Sequence, residues 1–201
     1  MGIPQKQLDV ITADEYLSIE RQAEKRNEFC QGETTAMAGG SRWHNILAGQ
    51  IYAALVNHLD GKPCTPYMAD MRLYIEAHQH YVYPDILVVC QEEAYIAEDM
   101  VNDATVIIEV LSPSTESYDR GRKFLHYQSL SSLQEYMIIT QEMMQVEIFR
   151  RREKHKWEYE LLNEPDDEVN LENIQFSMKL TALYKNIRLS KSNSKISVDD
   201  A

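Results

Sequence analysis

The chain has 201 residues, is 44% hydrophobic and 26% charged, and carries a formal net charge of −12. That length and balance suit one globular domain with a sizeable core, the charge argues against non-specific coating of nucleic acid, and no run approaches the ~20 apolar residues of a membrane helix. Cys30, Cys64 and Cys90 are odd in number and widely spaced, and Met1-Gly2-Ile3-Pro4-Gln5-Lys6-Gln7 lacks the apolar core of a secretory signal, so reduced thiols in a cytoplasmic protein with no membrane partner are expected.

Thr12-Ala13-Asp14-Glu15 fits a capping box and predicts a helix to about 24. Segments 27–30 and 33–37 flank Gln31-Gly32 as a hairpin. Ala38-Gly39-Gly40 breaks it, and Ser41 caps a helix to about 58, with Trp43, Ile46, Leu47, Ile51, Leu55 and Leu59 at helical spacing. Gly61-Lys62-Pro63 ends that helix. Strands are predicted over 64–76, 85–89 and 105–111, with an acidic loop over 91–103. Ser112-Pro113-Ser114-Thr115 stops the third strand and opens a helix over 117–130. Strands over 135–140, 146–151 and 157–162 are separated by turn signals, as in a meander. A strand and a short helix follow over 174–187. Residues 190–201, rich in Ser, Lys and Asp, read as a disordered tail behind a single domain over 1–189. The order predicts an α/β (α+β) fold: a mixed central β-sheet flanked by helices, with an additional antiparallel C-terminal meander.

Two apolar runs each carry one carboxylate: Tyr83-Pro84-Asp85-Ile86-Leu87-Val88-Val89 and Val106-Ile107-Ile108-Glu109-Val110-Leu111-Ser112. A lone acid in a Val/Ile strand is costly unless it is paired or holds a metal. Asp85 enters its strand and Glu109 lies near the end of the next, so an antiparallel pair would bring both to one sheet edge. Oxygen donors of this kind suit a hard cation such as Mg2+ or Mn2+; the plainer alternative is that Asp85 caps a turn and Glu109 meets a basic side chain. On the 117–130 helix, Arg120, Lys123, Phe124, Tyr127 and Leu130 share a side. Lys123 therefore points at the acid pair or snorkels along the apolar stripe. Acid pair, divalent ion and lysine together describe phosphodiester hydrolysis.

Tyr83-Pro84-Asp85, Glu109-Val110-Leu111-Ser112-Pro113-Ser114-Thr115, Asp119-Arg120-Gly121-Arg122-Lys123 and Ser132-Leu133-Gln134-Glu135-Tyr136 resemble the Uma-two family of PD-(D/E)xK, restriction-endonuclease-like proteins. The similarity extends to Gly32-Glu33, Met37-Ala38-Gly39, His44 and Asp70-Met71-Arg72, and spans about 12 to 185. It implies a restriction-endonuclease-like core, Asp85 and Glu109 as metal ligands, and an early acid for which Glu33 is the best candidate. In the general pattern the lysine stands two residues after the second acid, where this chain has Leu111; the resemblance implies that Lys123 on the following helix replaces it. It also implies a nucleic-acid partner, DNA in the first instance, and a homodimer joined through the meander.

Other residues have plainer alternatives. His44 could contact phosphate or a metal-bound water, or could be packed or capping. Arg120 and Arg72 are candidate phosphate contacts, Arg72 more simply a strand ion pair with Asp70. Glu33 could be a solvated strand acid. Seven acids lie in 158–172 with no Lys or Arg among them, so a local anion-binding face remains open around Arg120, Arg122 and Lys123 or Arg150, Arg151 and Arg152. His78-Gln79-His80 has no Cys or His partner at metal-site spacing, which argues against zinc. No P-loop, dinucleotide fingerprint or GxSxG motif occurs. A non-catalytic binding or regulatory protein on the same fold is the alternative function, and a hydrolase of small phosphoesters a third.

Overall fold

The computed structural model describes residues 11–37 and 39–189; the tail expected over 190–201 lies outside them. Helix α1 (Ala13–Glu20) starts at the predicted capping box, with Thr12 and Glu15 bonded reciprocally. It stops at Glu20, short of the expected 24, because the buried Glu20 carboxylate turns inward to accept from Asn27 N–H and Nδ2 at 2.9 and 3.0 Å. Strands β1 (Asn27–Cys30) and β2 (Glu33–Ala36) form the expected hairpin. Its two turn residues, Gln31 (φ 50°) and Gly32 (φ 95°), are both left-handed, the geometry that matches strand twist.

Helix α2 (Arg42–Leu59) is capped by Ser41 and buries Leu47, Ala48, Ile51, Leu55 and Leu59. The predicted 64–76 strand divides into β3 (Thr65–Met68) and β4 (Arg72–Ile75), which lie in different sheets. Ala69, at φ 57°, makes the break. The stretch before Pro84 contains β5 (His80–Val82), and the acidic loop after β6 (Ile86–Val89) contains β7 (Tyr95–Ala97) and β8 (Met100–Val101). These short strands escape a periodicity reading, being two or three residues long. They complete a sheet ordered β2-β1-β5-β4-β8-β7.

The central sheet is mixed, ordered β12-β11-β10-β9-β6-β3. Strand β9 (Val106–Val110) is antiparallel to β6 and parallel to β10 (Glu135–Ile139). Strands β10, β11 (Val146–Glu153) and β12 (Lys156–Leu162) are the C-terminal meander, which extends this sheet. A hairpin of β13 (Glu168–Leu171) and β14 (Phe176–Lys179) and helix α5 (Leu180–Leu183) follow.

Alternation along the central strands separates two cores. Ile86, Val88, Val106, Ile108 and Val110 pack with α2. Leu87, Val89, Ile107 and Leu111 pack with Phe124, Tyr127 and Leu130, and through them with Leu73, Ile75 and Val82 of the second sheet. The helical stretch 116–127 thus joins the two sheets. It is not the regular helix expected: α-helical turns α3 (Glu116–Tyr118) and α4 (Phe124–Tyr127) flank a π-helical turn, Asp119–Lys123. A π turn disturbs the backbone ladder; the Asp119 carbonyl accepts from the Tyr136 hydroxyl at 3.1 Å.

The cysteines also depart from expectation. Thr65 pairs with Val89 across β3 and β6, so the next residues out, Cys64 and Cys90, face one another and form a disulfide. Cys30 is free. No described helix is long and apolar enough to cross a membrane.

Candidate active site

The β6–β9 register pairs Ile86 with Ile108, so Asp85, just before β6, stands opposite Glu109. Their backbones and carboxylates interlock: Asp85 N–H donates to Glu109 Oε2 at 3.3 Å, and Val110 N–H donates to Asp85 Oδ2 at 2.8 Å. Glu109 shares the sheet face of Ile107 and Leu111, towards the helical stretch 116–127. Lys123 enters from that stretch, with Nζ 2.9 Å from Glu109 Oε1. The Tyr127 hydroxyl, one turn on, donates to the same oxygen at 2.8 Å. Leu111 itself is buried in the core below.

The Lys123 ammonium also pairs with Glu28 at 3.1 Å and Asp119 at 3.5 Å. Glu28 is therefore the acid from the first hairpin that reaches the site. Glu33 is exposed on β2, and among the described residues no hydrogen bond or ion pair joins it to Asp85, Glu109 or Lys123. The physical reason is place in the sheet: Glu33 pairs with Cys30 and shares its face, but it stands on the edge strand β2 beside the turn, whereas Glu28 lies on β1, between β2 and β5. Phe29, of the opposite parity, faces Tyr16 of α1 and Tyr81. Glu28 is legible only once β5 is recognised as the partner of β1. Asp119, Lys123 and Tyr127 carry a clearer signal, a spacing of four along the helical stretch.

His44 packs on the solvent side of Asp85. Its Nε2 lies 3.1 Å from Asp85 Oδ1 and its Nδ1 3.2 Å from the Val110 carbonyl. Both partners are acceptors, so both ring nitrogens donate and the ring is an imidazolium. Burial alone would lower its pKa; the Asp85 hydrogen bond and charge outweigh that and hold it above its usual 6.5. Gly40 leaves room for this ring, since a Cβ there would meet His44 Cδ2 at 2.7 Å. Burial pushes Glu109 up to about 8, with the Asp85 and Asp119 charges adding and Lys123 opposing. Lys123 is pulled down by burial, but Glu109, Tyr127, Glu28 and Asp119 together hold it well above its ordinary value. The Asp85 side chain is 17% exposed and that of Glu109 4%, so a ligand reaches the pair from the Asp85 side.

The remaining cations are engaged elsewhere. Arg72, 2% exposed, bonds Tyr83 Oη at 2.8 Å and Asp99 at 3.1 Å, whereas Asp70 pairs with Arg26. Arg120 holds Glu116 and Glu147. Arg150 holds Glu135 and Glu160, Arg151 donates to the Leu133, Gln128 and Leu130 carbonyls, and Arg152 holds Glu158 and Glu172. The basic cluster at 150–152 is thus committed to the fold.

A second group lies on the other side of Glu28. Cys30, His80 and His126 bring potential ligand atoms within 4.8 Å of one another, although nothing in their spacing along the chain announces it. Burial, then neighbouring positive charge, lowers the pKa of His80 to about 3 and that of His126 to about 4. The Asp85–Glu109 donors are oxygens, fitting a hard cation; sulfur and imidazole nitrogen are a softer set.

The family model of Uma2, described as "Putative restriction endonuclease", matches residues 13–182. An uncharacterised Synechocystis protein, slr1290, is 29% identical over 178 residues, covering 88% of this chain and 93% of the relative. Another, sll1609, is 34% identical over 150 residues, covering 74% and 85%. Among solved structures, a protein from Anabaena variabilis described as a putative nuclease belonging to DUF820 superposes with a TM-score of 0.72 at 19% identity, covering 87% of this chain and 97% of that one. That likeness is one of fold, a mixed central β-sheet flanked by helices. By the extent of the family match, this chain belongs to the Uma2 family.

Proposed function

We propose that the chain is a Mg2+- or Mn2+-dependent endonuclease that hydrolyses phosphodiester bonds in DNA. The observation that carries this reading is the convergence of Asp85 and Glu109 across β6 and β9, with Lys123 Nζ 2.9 Å from Glu109. A divalent cation held by these carboxylates would polarise a bound phosphate and lower the pKa of a water beside it. Lys123 supplies fixed positive charge for the phosphate and takes the place of the strand lysine that Leu111 replaces. Glu28, rather than Glu33, orients Lys123. His44 orients Asp85, its two ring N–H groups held by Asp85 Oδ1 and the Val110 carbonyl. Arg42, exposed and stacked 4.2 Å over Trp43 at the α2 N-terminus, lies two residues before His44 in the chain and offers a cation to the DNA backbone. The same reading has the enzyme cytoplasmic and dimeric, paired along the open edge of β12, where Tyr159 and Leu161 are exposed.

The test is cleavage of supercoiled plasmid with Mg2+ or Mn2+, beside a matched RNA. Wild type should nick DNA only with metal, and Asp85→Asn should lose at least about 100-fold in rate with unchanged circular dichroism. Cleavage by Asp85→Asn at the wild-type rate would overturn the assignment. The engagement of Lys123 with three carboxylates favours one alternative, a non-catalytic binding protein. In that case neither metal would raise the melting temperature of wild type above that of Asp85→Asn.

A further inference from the structure

We propose that Cys30, His80 and His126 form a second metal site, distinct from the acid pair, built for Zn2+ or a cation of similar softness. Cys30 and His80 are direct partners across β1 and β5, so their side chains leave the same face of the second sheet. That face meets the helical stretch 116–127, where His126 brings its Nδ1 to 2.9 Å from His80 Nδ1. The His126 ring is stacked at 3.9 Å and 6° on His78.

The hydrogen-bond network assigns the tautomer. The Glu28 carboxylate only accepts, so the Tyr118 hydroxyl donates its single proton to Glu28 Oε2, at 3.1 Å. Tyr118 Oη is also 3.1 Å from His80 Nε2, so it must accept from an Nε2–H. His80 Nδ1 is then a lone pair directed into the cluster. Metal-bound histidines are held by this kind of second partner, which fixes the ring and raises its basicity. Without metal, His126 Nδ1–H donates to that lone pair. Binding moves His126 to its Nε2–H tautomer and releases the Cys30 thiol proton to solvent.

The dimensions suit the ion. Zn–N bonds of ~2.0–2.1 Å at a tetrahedral centre set nitrogens roughly 3.3 Å apart, a few tenths of an ångström beyond the present separation. Burial raises the Cys30 thiol above its ordinary value, and Arg122, which donates to Sγ from 3.4 Å, opposes that rise. Cys30 is only half-buried, while His80 is 0% and His126 7% exposed, so the ion enters past the sulfur and water takes the fourth position. Bound there, it ties the second sheet to the helix that carries Lys123. The ligand His80 connects through Tyr118 to Glu28, and Glu28 Oε1 holds Lys123 at 3.1 Å. The site stands on its own geometry, whether or not the acid pair is a nuclease centre.

Co2+ is the probe, because a thiolate ligand gives it a near-ultraviolet charge-transfer band that oxygen ligands do not. Metal-stripped full-length protein is titrated anaerobically without thiol reductant, so that Cys64 and Cys90 stay paired. One Co2+ per chain should produce the band, and Zn2+ should bleach it. Cys30→Ser should abolish the band and His126→Gln should weaken binding at least 10-fold. Tyr118→Phe, which touches no metal, should weaken it by about 10–100-fold. Asp85→Ala should leave the band intact. Absence of the band in wild type, its survival in Cys30→Ser, or its loss in Asp85→Ala would each overturn the proposal. Circular dichroism checks that every variant is folded.

Discussion

Lys123 Nζ and Glu109 Oε1 meet at 2.9 Å, one carried by a π-helical turn and the other by the middle of the central sheet. Two residues beyond Glu109, Leu111 completes the hydrophobic core. The chain therefore brings positive charge to Glu109 from outside the sheet, and the strand end is left free to pack. Removing that charge leaves Glu28, Glu109 and Asp119 converging with no cation. Lys123→Met should cost about 3–5 kcal/mol of stability in urea denaturation, the usual cost of breaking a buried pair from one side. Adding Glu109→Gln should recover part of that loss. A double variant no more stable than Lys123→Met would mean that the two groups are not coupled.

Gly40 predicts a positional effect on His44. A Cβ at 2.7 Å from the ring must displace it, and the ring is held at both ends by Asp85 and the Val110 carbonyl. Gly40→Ala should lower metal-dependent cleavage at unchanged secondary structure, while Gly39→Ala, with open space around it, should not. Equal activity of the two variants would show that His44 placement is irrelevant to turnover.

What the sequence makes legible is the part governed by local patterns. The β6 and β9 strands announce themselves as apolar runs, each with one acid, and Lys123 falls on the inward face at helical spacing. The β2-β1-β5-β4-β8-β7 sheet does not, because its strands are short and half of them lie in polar or acidic stretches. Missing β5 hides two things at once: that β1 lies inside this sheet, which sets Glu28 beside Lys123 and leaves Glu33 on the edge strand, and that His80 faces Cys30. Charge is misleading for a related reason. Arg150, Arg151 and Arg152 look like an anion-binding cluster in one dimension, but β11 distributes them to Glu135, backbone carbonyls and Glu172.

His44 has a pH signature with a definite sign. Its folded-state pKa lies above 6.5, so the fold keeps a proton that the unfolded chain releases. The resulting stability is complete below pH 6.5 and is lost as pH rises through the folded value. The difference in urea midpoint between wild type and His44→Gln should shrink from pH 6 to pH 9. A constant difference would mean that the ring is neutral in the fold.

His80 and His126 predict the opposite limb. Burial first, and neighbouring positive charge second, holds them at about 3 and about 4, below the 6.5 of a free imidazole. The unfolded chain therefore takes up protons that the fold refuses. Stability from keeping these rings neutral is complete above pH 6.5 and falls as pH drops through 4 and then 3. For His80, wholly buried, the slope approaches about 1.4 kcal/mol per pH unit below pH 6. Metal-free wild type should lose urea resistance between pH 6.5 and 4.5 more steeply than His126→Gln, which has one fewer ring to protonate. Saturating Zn2+ should steepen the wild-type loss further, because protons then compete with the ion for the same nitrogens. If wild type and His126→Gln fall in parallel, the His80–His126 pair is already open to water, and the tautomer assigned through Tyr118 does not hold.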